Sequence, residues 1–387
     1  MAVRVRVKEQ ENIYFSVMNK TMANKFNYFK QLYQDNKFDV LLKEKSAIYW
    51  LKLRSISRKA LMVEFCKLAK IDCVDIKGPK LFEHIYKQQP SEKLLTKFIE
   101  EKYQEERTKR KAGETKLISE LYKLQVFDWG GLYQNNFERT IINNYVKKIK
   151  DFKILNEKVE CEIHESMKSY ILSSWFNHWT SILTEDVFKD HEKVTPTVGL
   201  IKKVDFFVGE IPFDLKVTYF PDGFMQMKRR ELGCGTEVQE LKRFAREKGI
   251  NYDRNQKDKI IFIELLTRFK ESVDPEIKKF WEQFNNTRKK IIKDTMTNPS
   301  TLIRWLYEKQ GDRRFDAANR LFLILMDESN LEESWKMKRN IDLLKDEIND
   351  YLDNVNFKNT KQFEITFDWE DGQKYSALSD IMFITKK

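Results

Sequence analysis

Two aspartates and a lysine in the segment KKVDFFVGEIPFDLKVTY, Lys202 to Tyr219, stand at a spacing that could hold a hard cation. Gly209-Glu210 reads as a two-residue hairpin turn, with glycine in the first central position that a type II′ turn favours. Opposed pairs are then Val208 with Ile211, Phe206 with Phe213 and Val204 with Leu215, which makes one face wholly apolar. The other face sets Asp205 against Asp214 and Lys203 against Lys216, because strand side chains alternate. Directly opposed residues lie roughly 4.5 to 5.5 Å apart, and like charges there repel. Two carboxylates held so close need a raised pKa, a cationic partner or a divalent metal. The arrangement looks like a Mg2+ site with Lys216 beside it, suited to phosphodiester hydrolysis: the cation polarises the phosphate and acidifies water, and the ammonium positions that water and stabilises charge. A third carboxylate from a helix would complete the set. The plain alternative is a solvated hairpin whose aspartates are kept apart by Lys203 and Lys216.

The elements that must position these residues read as a mixed α/β (α+β) pattern. An amphipathic helix over Glu160 to Leu183 precedes strands Val204 to Val208 and Ile211 to Tyr219. A helix near Glu237 to Lys248, a strand Lys259 to Leu266, two helices between Pro275 and Lys309 and a strand Arg320 to Met326 follow. A helix at Leu331 to Leu352 and strands near Phe363 to Phe367 and Asp380 to Thr385 end the chain, which implies one mixed central sheet flanked by helices. Within Ser334 to Ile348, Trp335, Ile341, Leu344 and Ile348 recur at helical spacing, the pattern of a core helix, with Lys336, Lys338 and Arg339 as candidate DNA contacts. From Asn12 to about Lys150 the text is helical, with Ile48, Leu51, Leu53, Ile56 and then Leu61, Phe65, Leu68 recurring at threes and fours. The expected organisation is an α-helical N-terminal domain over residues 1–150, a candidate for DNA recognition, and a second domain over residues 151–387.

Composition narrows the function classes. Among 387 residues, 12 glycines and 7 prolines are few and 41% are hydrophobic, which excludes collagen-like and disordered chains. A net charge of +11 favours a polyanionic partner, with nucleic acid first and RNA or an anionic membrane surface behind it. Four cysteines without CxxC spacing imply reduced thiols and a cytoplasmic setting. No signal peptide or membrane span is expected, and the absence of GxxxxGK[ST] and GxGxxG gives no support to a nucleotide-driven motor or dinucleotide enzyme. His164, His178 and His191 with Cys161 lack the paired spacing of a zinc site.

Around Asp205 and Asp214 the chain resembles the PD-(D/E)XK nuclease superfamily, which includes most type II restriction endonucleases. Val204-Asp205 matches the first half-motif, with valine where the name has proline, and Asp214-Leu215-Lys216 matches the second. The helix, hairpin, helix, strand order from Glu160 to Leu266 extends the likeness to the family core. The resemblance implies that Asp205, Asp214 and the main-chain carbonyl of Leu215 bind Mg2+, with Mn2+ as substitute, and that Lys216 assists the attacking water. It also implies an acidic residue on the preceding helix. Glu185, on the helical line of His178 and Ile182, is favoured over Glu165, with Glu160 and Glu162 behind.

The expectation is therefore a Mg2+-dependent endonuclease cutting double-stranded DNA to 5′-phosphate and 3′-hydroxyl ends, of restriction type. A homodimer would cut both strands, in a prokaryotic cytoplasm with a DNA methyltransferase encoded nearby. A repair, recombination or RNA nuclease of the same fold, and a non-catalytic DNA-binding module, are the alternatives. Lys202 and Lys203 before the first aspartate, and Lys228, Arg229 and Arg230 after the hairpin, are candidate DNA contacts. Further basic candidates are Arg54, Arg58 and Lys59 in a helix-turn-helix-like pair with Ser57 as cap, and Arg107, Lys109, Arg110 and Lys111 in the charged run Glu100 to Lys116, otherwise a solvated helix face. The sequence QVFDWGGLYQNN, Gln125 to Asn136, carries a turn at Gly130-Gly131.

Overall fold

A computed structural model describes residues 22–127, 137–309, 317–357, 359–369 and 372–386, so the turn expected at Gly130-Gly131 lies outside the described residues. Helices α1 (22–34), α2 (Phe38–Leu41), α3 (Lys45–Ser55), α4 (Lys59–Ala69), α5 (Gly78–Gln88) and α6 (Glu92–Leu121) open the chain. Ser57 does not cap α4: that helix starts after Arg58 without a side-chain cap, and Ser57 accepts instead from Arg54 Nη1. After α7 (Phe137–Ile141) and α8 (Phe152–Lys158), a π-helical turn at Val159–Ile163 leads into α9 (His164–Lys189).

The sheet is mixed and open, in the order β1 (Val194–Ile201), β2 (Val204–Val208), β3 (Ile211–Tyr219), β4 (Arg320–Asp327), β6 (Lys374–Lys386), β5 (Glu364–Asp368). β1, β2 and β3 run antiparallel, β3, β4 and β6 run parallel, and β5 returns antiparallel along β6. β1 is not in the expected set, because Pro196 and Gly199 interrupt its alternation. Both are tolerated on an edge strand, and a side chain at 199 would place its Cβ 2.4 Å from the Ser55 carbonyl oxygen at the end of α3.

A parallel β3–β4 pair requires a crossover, and residues 220–319 supply it through α10 (Asp222–Glu231), α11 (Glu237–Glu247), α12 (Asp258–Glu271), α13 (Pro275–Thr297) and α14 (Ser300–Lys309). The strand expected over Lys259 to Leu266 is part of α12. Its apolar run looks strand-like, but Ile261, Leu265 and Phe269 recur every four residues and are buried, while Ile260 and Ile263 are exposed. The single helix expected over Leu331 to Leu352 is a 3-10 segment, Leu331–Arg339, followed by α15 (Ile341–Asn354), with the Asn340 side chain capping the second piece.

β4 is buried at all eight positions, as a central strand covered on both faces must be. Leu321, Leu323 and Leu325 pack with Phe188 of α9 and Leu344 and Ile348 of α15. Phe322, Ile324 and Met326 pack with Phe224, Ile291, Leu306 and Tyr307 of the crossover. The N-terminal helices share a third cluster with Val198, Ile201, Val204 and Phe207 of β1 and β2. No helix among the described residues is long and apolar enough to cross a membrane.

Lys338 ties the 3-10 segment to α9, donating to Asn177 Oδ1 at 2.9 Å with its ammonium 5.2 Å from the Tyr219 ring centroid. Burial pushes its pKa down from 10.5 to about 8. A lysine whose folded pKa lies below its unfolded value destabilises the native state fully below the folded pKa, and the penalty fades as pH rises to the unfolded one. Relative to a Lys338→Met variant, the stability of wild type should rise by about 3 kcal/mol as pH goes from 7 through 8 to 10.5, on top of a constant offset from the lost Asn177 and Tyr219 contacts. Urea unfolding of both proteins across that range checks it; a gap that does not change with pH would refute the burial argument.

Candidate active site

Hydrophobic alternation sets the hairpin register. β2 and β3 pair Val208 with Ile211, Phe207 with Pro212 and Phe206 with Phe213, with Gly209 at a φ of +59° in the turn. Pro212 lies ahead of the stretch that β4 flanks, and its carbonyl accepts from Asn319 Nδ2 at 3.2 Å. The β2–β3 ladder stops at Phe206 and Phe213. Beyond it the Leu215 N–H donates to Asp205 Oδ2 at 2.8 Å, and the Asp214 N–H donates to the Asn319 carbonyl at 3.0 Å. The two strands thus part where the aspartates lie, and the Asp205 carboxylate takes a main-chain donor.

Asp214 is buried between two cations. Lys216 Nζ donates to Asp214 Oδ1 at 2.5 Å and lies 3.4 Å from the Leu215 carbonyl oxygen, while Arg320 Nε donates to Asp214 Oδ2 at 3.3 Å. Arg320 is fully buried, stands opposite Asp214 in the β3–β4 register and sets its guanidinium 4.9 Å from the Tyr307 ring centroid. It lies outside the set of expected site residues. The available signal was an arginine at the head of an otherwise apolar strand, RLFLILMD, since a fully buried arginine requires a partner.

Asp205 is short of positive charge. Burial pushes its carboxyl up to about 7, the nearby Glu185 and Asp214 carboxylates push in the same direction, and Lys216 and the Leu215 N–H only partly oppose them. Glu185, near the end of α9, is therefore the helix carboxylate beside the hairpin; its Oε2 accepts from Lys189 at 2.9 Å. Glu165 is not in this cluster. It stands exposed in the first turn of α9, about 30 Å away along the helix. Glu162 bonds Tyr145 and Lys158, and Glu160 is exposed.

These donors fit a hard divalent cation. Asp214 Oδ1 and the Leu215 carbonyl already converge on one positive group, the Lys216 ammonium, and all the donors are oxygens. Among the described residues no group of three or more His, Cys, Asp or Glu stands close enough to hold a metal ion by itself, the cluster of Asp205, Asp214 and Glu185 included. His178 is exposed and stands edge-on to Trp179.

The orientation of α9 is set from α6. Arg107 Nε donates to both carboxylate oxygens of Asp190, at 3.1 and 3.0 Å, and its guanidinium also pairs with Asp186 at 3.5 Å and with Glu114. Arg110 spans Asp186 at 3.0 and 2.7 Å, and Tyr103 Oη donates to Asp190 at 2.9 Å. This corrects the reading of Arg107 and Arg110 as phosphate contacts: both are held by Asp186 and Asp190, one and five residues beyond Glu185 on α9.

The basic candidates separate in the same way. Arg229 is fully buried, held by Glu240 and the Gly235 carbonyl, so it is not a DNA contact. Lys228 pairs with Glu231 at 2.8 Å, and Arg230 is exposed on the same helix. Lys202 is exposed with Nζ 3.4 Å from Asn36 Oδ1, and Lys203 sits in the β1–β2 turn at a φ of +60°. Arg54 lies over the Tyr33 ring, and Arg58 is 3.8 Å from Glu106.

Comparisons of the chain with protein-family models, curated proteins and solved structures find no match.

Removing Arg107 would leave Asp186, itself only 3% exposed, with one cation fewer. Arg107→Met should therefore cost about 3–5 kcal/mol in denaturant unfolding, while Lys109→Met, exposed on the same helix, should cost under about 0.5 kcal/mol. Equal effects of the two would show that the clamp contributes nothing specific.

Proposed function

We propose that the chain is a Mg2+-dependent endonuclease with a restriction-endonuclease-like core, cutting double-stranded DNA as a type II site-specific enzyme. One observation carries the reading. Asp214 Oδ1 and the Leu215 carbonyl both meet the Lys216 ammonium, and the nearby Asp205 carboxyl is pushed up by burial and then by the Glu185 and Asp214 carboxylates. Asp205, Asp214 and the Leu215 carbonyl would hold Mg2+, or Mn2+ in its place, with Glu185 as the helix carboxylate next to them. Bound there, the cation supplies charge to the phosphate and lowers the pKa of water.

The chain's own residues do the rest. Lys216 orients the attacking water by hydrogen bonding and stabilises negative charge as it builds on the phosphate. Arg320, locked under Tyr307, fixes the carboxylate plane of Asp214 so that Oδ1 stays turned towards Lys216. Water adds to phosphorus, the bond to the 3′ oxygen breaks and that oxygen takes a proton, leaving 5′-phosphate and 3′-hydroxyl ends. Cutting both strands takes two such sites, which a homodimer provides, and a cytoplasmic methyltransferase encoded nearby would protect the host DNA.

A non-catalytic DNA-binding module has one specific observation in its favour: Asp214 already has two cationic partners. Incubating the protein with unmethylated plasmid and phage DNA in Mg2+, Mn2+ or EDTA separates the readings. Discrete metal-dependent fragments are expected from wild type. Asp214→Ala and Lys216→Ala should each lower the cleavage rate by at least about 100-fold, and Glu185→Gln by at least about tenfold, with Glu165→Gln unchanged. Cleavage by Asp214→Ala at the wild-type rate would remove the hairpin from the mechanism. DNA bound but left intact in every metal would establish the binding module.

A further inference from the structure

The crossover between β3 and β4 holds a charge pattern that the hairpin does not use. Residues 222–309 carry 20 Lys and Arg against 14 Asp and Glu, so under a quarter of the chain supplies more than half of its net charge of +11. Many of these cations are paired: Lys228 with Glu231, Arg229 with Glu240, Lys242 with Asp258, Lys248 with Glu276, Arg268 with Glu264 and Arg288 with Glu237 and Glu332.

Helix α13 differs from the rest. Phe284, Arg288, Ile291 and Thr295 form its buried face. On the opposite side Lys278, Lys279, Lys289, Lys290 and Lys293 are all exposed, and a helix turning about 100° per residue gathers them into an arc of roughly 120°. None of the five is in an ion pair among the described residues, and Glu282 is the single carboxylate in that arc. From Lys278 to Lys293 the stripe is about 22 Å long, a length over which duplex DNA carries roughly 13 phosphate charges. Five like charges on one helix face repel one another and hold counterions, which a polyanion lying along the stripe would displace.

We propose that this lysine face of α13 is a docking surface for the phosphate backbone of duplex DNA. The choice of duplex DNA rests on the nuclease reading; the polyanion chemistry rests on the stripe alone. The lysines meet phosphate, so they strengthen binding to every sequence alike and carry no base preference.

The test is a binding measurement on the full-length chain in EDTA, with a duplex of about 30 base pairs titrated at several salt concentrations. A variant with Lys278, Lys279, Lys289, Lys290 and Lys293 all changed to Ser is compared with one in which Lys93, Lys97, Lys116 and Lys123, exposed along and just beyond α6, and the exposed Lys80 on α5 are changed to Ser. Both lose five charges from the solvated surface, and circular dichroism confirms that both fold. The α13 variant should bind at least about 100-fold more weakly at low salt, and its slope of log affinity against log salt should be shallower by about 4, near 0.9 for each phosphate no longer neutralised. The second variant should keep the wild-type slope. An unchanged slope in the α13 variant, or an equal drop in both variants, overturns the proposal. So does wild-type affinity for duplex RNA or anionic vesicles that exceeds its affinity for DNA. If Mg2+ produces no cleavage while the slopes differ as expected, the nuclease reading falls and the docking surface stands; cleavage with equal slopes gives the reverse.

Discussion

A carboxylate buried in the middle of a sheet must be met by cations, and Asp214 imposes that condition on everything around it. Arg320 can reach it only if β4 lies directly beside β3 with Arg320 in register. β3 and β4 run parallel, and a parallel neighbour requires a crossover, which the helices α10 to α14 provide. The crossover in turn supplies Tyr307, whose ring lies against the Arg320 guanidinium and whose hydroxyl is held by the Ala318 carbonyl. Lys216 meets the other oxygen from the same strand, two residues along, where strand periodicity places it on the same face. One buried charge thus connects strand order, crossover and site.

The second condition comes from α9. A helix can present a glutamate to the edge of a sheet only if its rotation is held, and hydrophobic contacts alone hold rotation loosely because neighbouring apolar side chains are interchangeable. Arg107 and Arg110 bind Asp186 and Asp190 at specific oxygen atoms, and those two residues follow Glu185 within the last turns of the same helix. The charged run on α6, which has the composition of a solvated surface, is therefore partly an internal fastening. Glu185 stands close enough to Asp205 to add its repulsion to the burial that raises the Asp205 pKa.

The legible parts of the fold and site were those governed by local periodicity. The β2–β3 register followed from the alternation on either side of Gly209-Glu210, because a shift of one residue would turn Phe206 and Phe213 to the opposite face. What failed depended on tertiary context. Lys259 to Leu266 has the apolar density of a strand, and only packing against α11 and α13 reveals that Ile261, Leu265 and Leu266 share one buried helical face while Ile260 and Ile263 are exposed. β1 was hidden by Pro196 and Gly199, which an edge position and the close approach of α3 explain. Arg229 and Arg230 are neighbours of equal charge, yet one is enclosed by Glu240 and the other exposed, a difference with no local signature. Likewise, Glu165 and Glu185 both lie on α9, and what separates them is which end of a 26-residue helix meets the sheet.

The N-terminal helices are part of this same mechanical problem. Trp50, Leu53 and Ile56 share a core cluster with Val198 and Ile201 of β1 and with Val204 and Phe207 of β2, so they pack against the strands that lead to and carry Asp205. Lys52 adds a directional contact, its ammonium 5.9 Å from the Phe207 ring centroid while Glu92 on α6 accepts from it at 2.7 Å. Asp205 is thus flanked in sequence by two residues of that cluster or the α9 cluster, Val204 and Phe206, and its own carbonyl is taken by Thr197 on β1 at 2.7 Å. Each of these contacts restricts a different freedom of the strand: the helical cluster its distance from α3, Phe188 stacked on Phe206 its tilt, and Thr197 its slide along β1. A carboxylate that must hold its place against Glu185 and Asp214, both of which repel it, needs all three. In that sense the helical layer supports the site mechanically, whatever else its surface contacts.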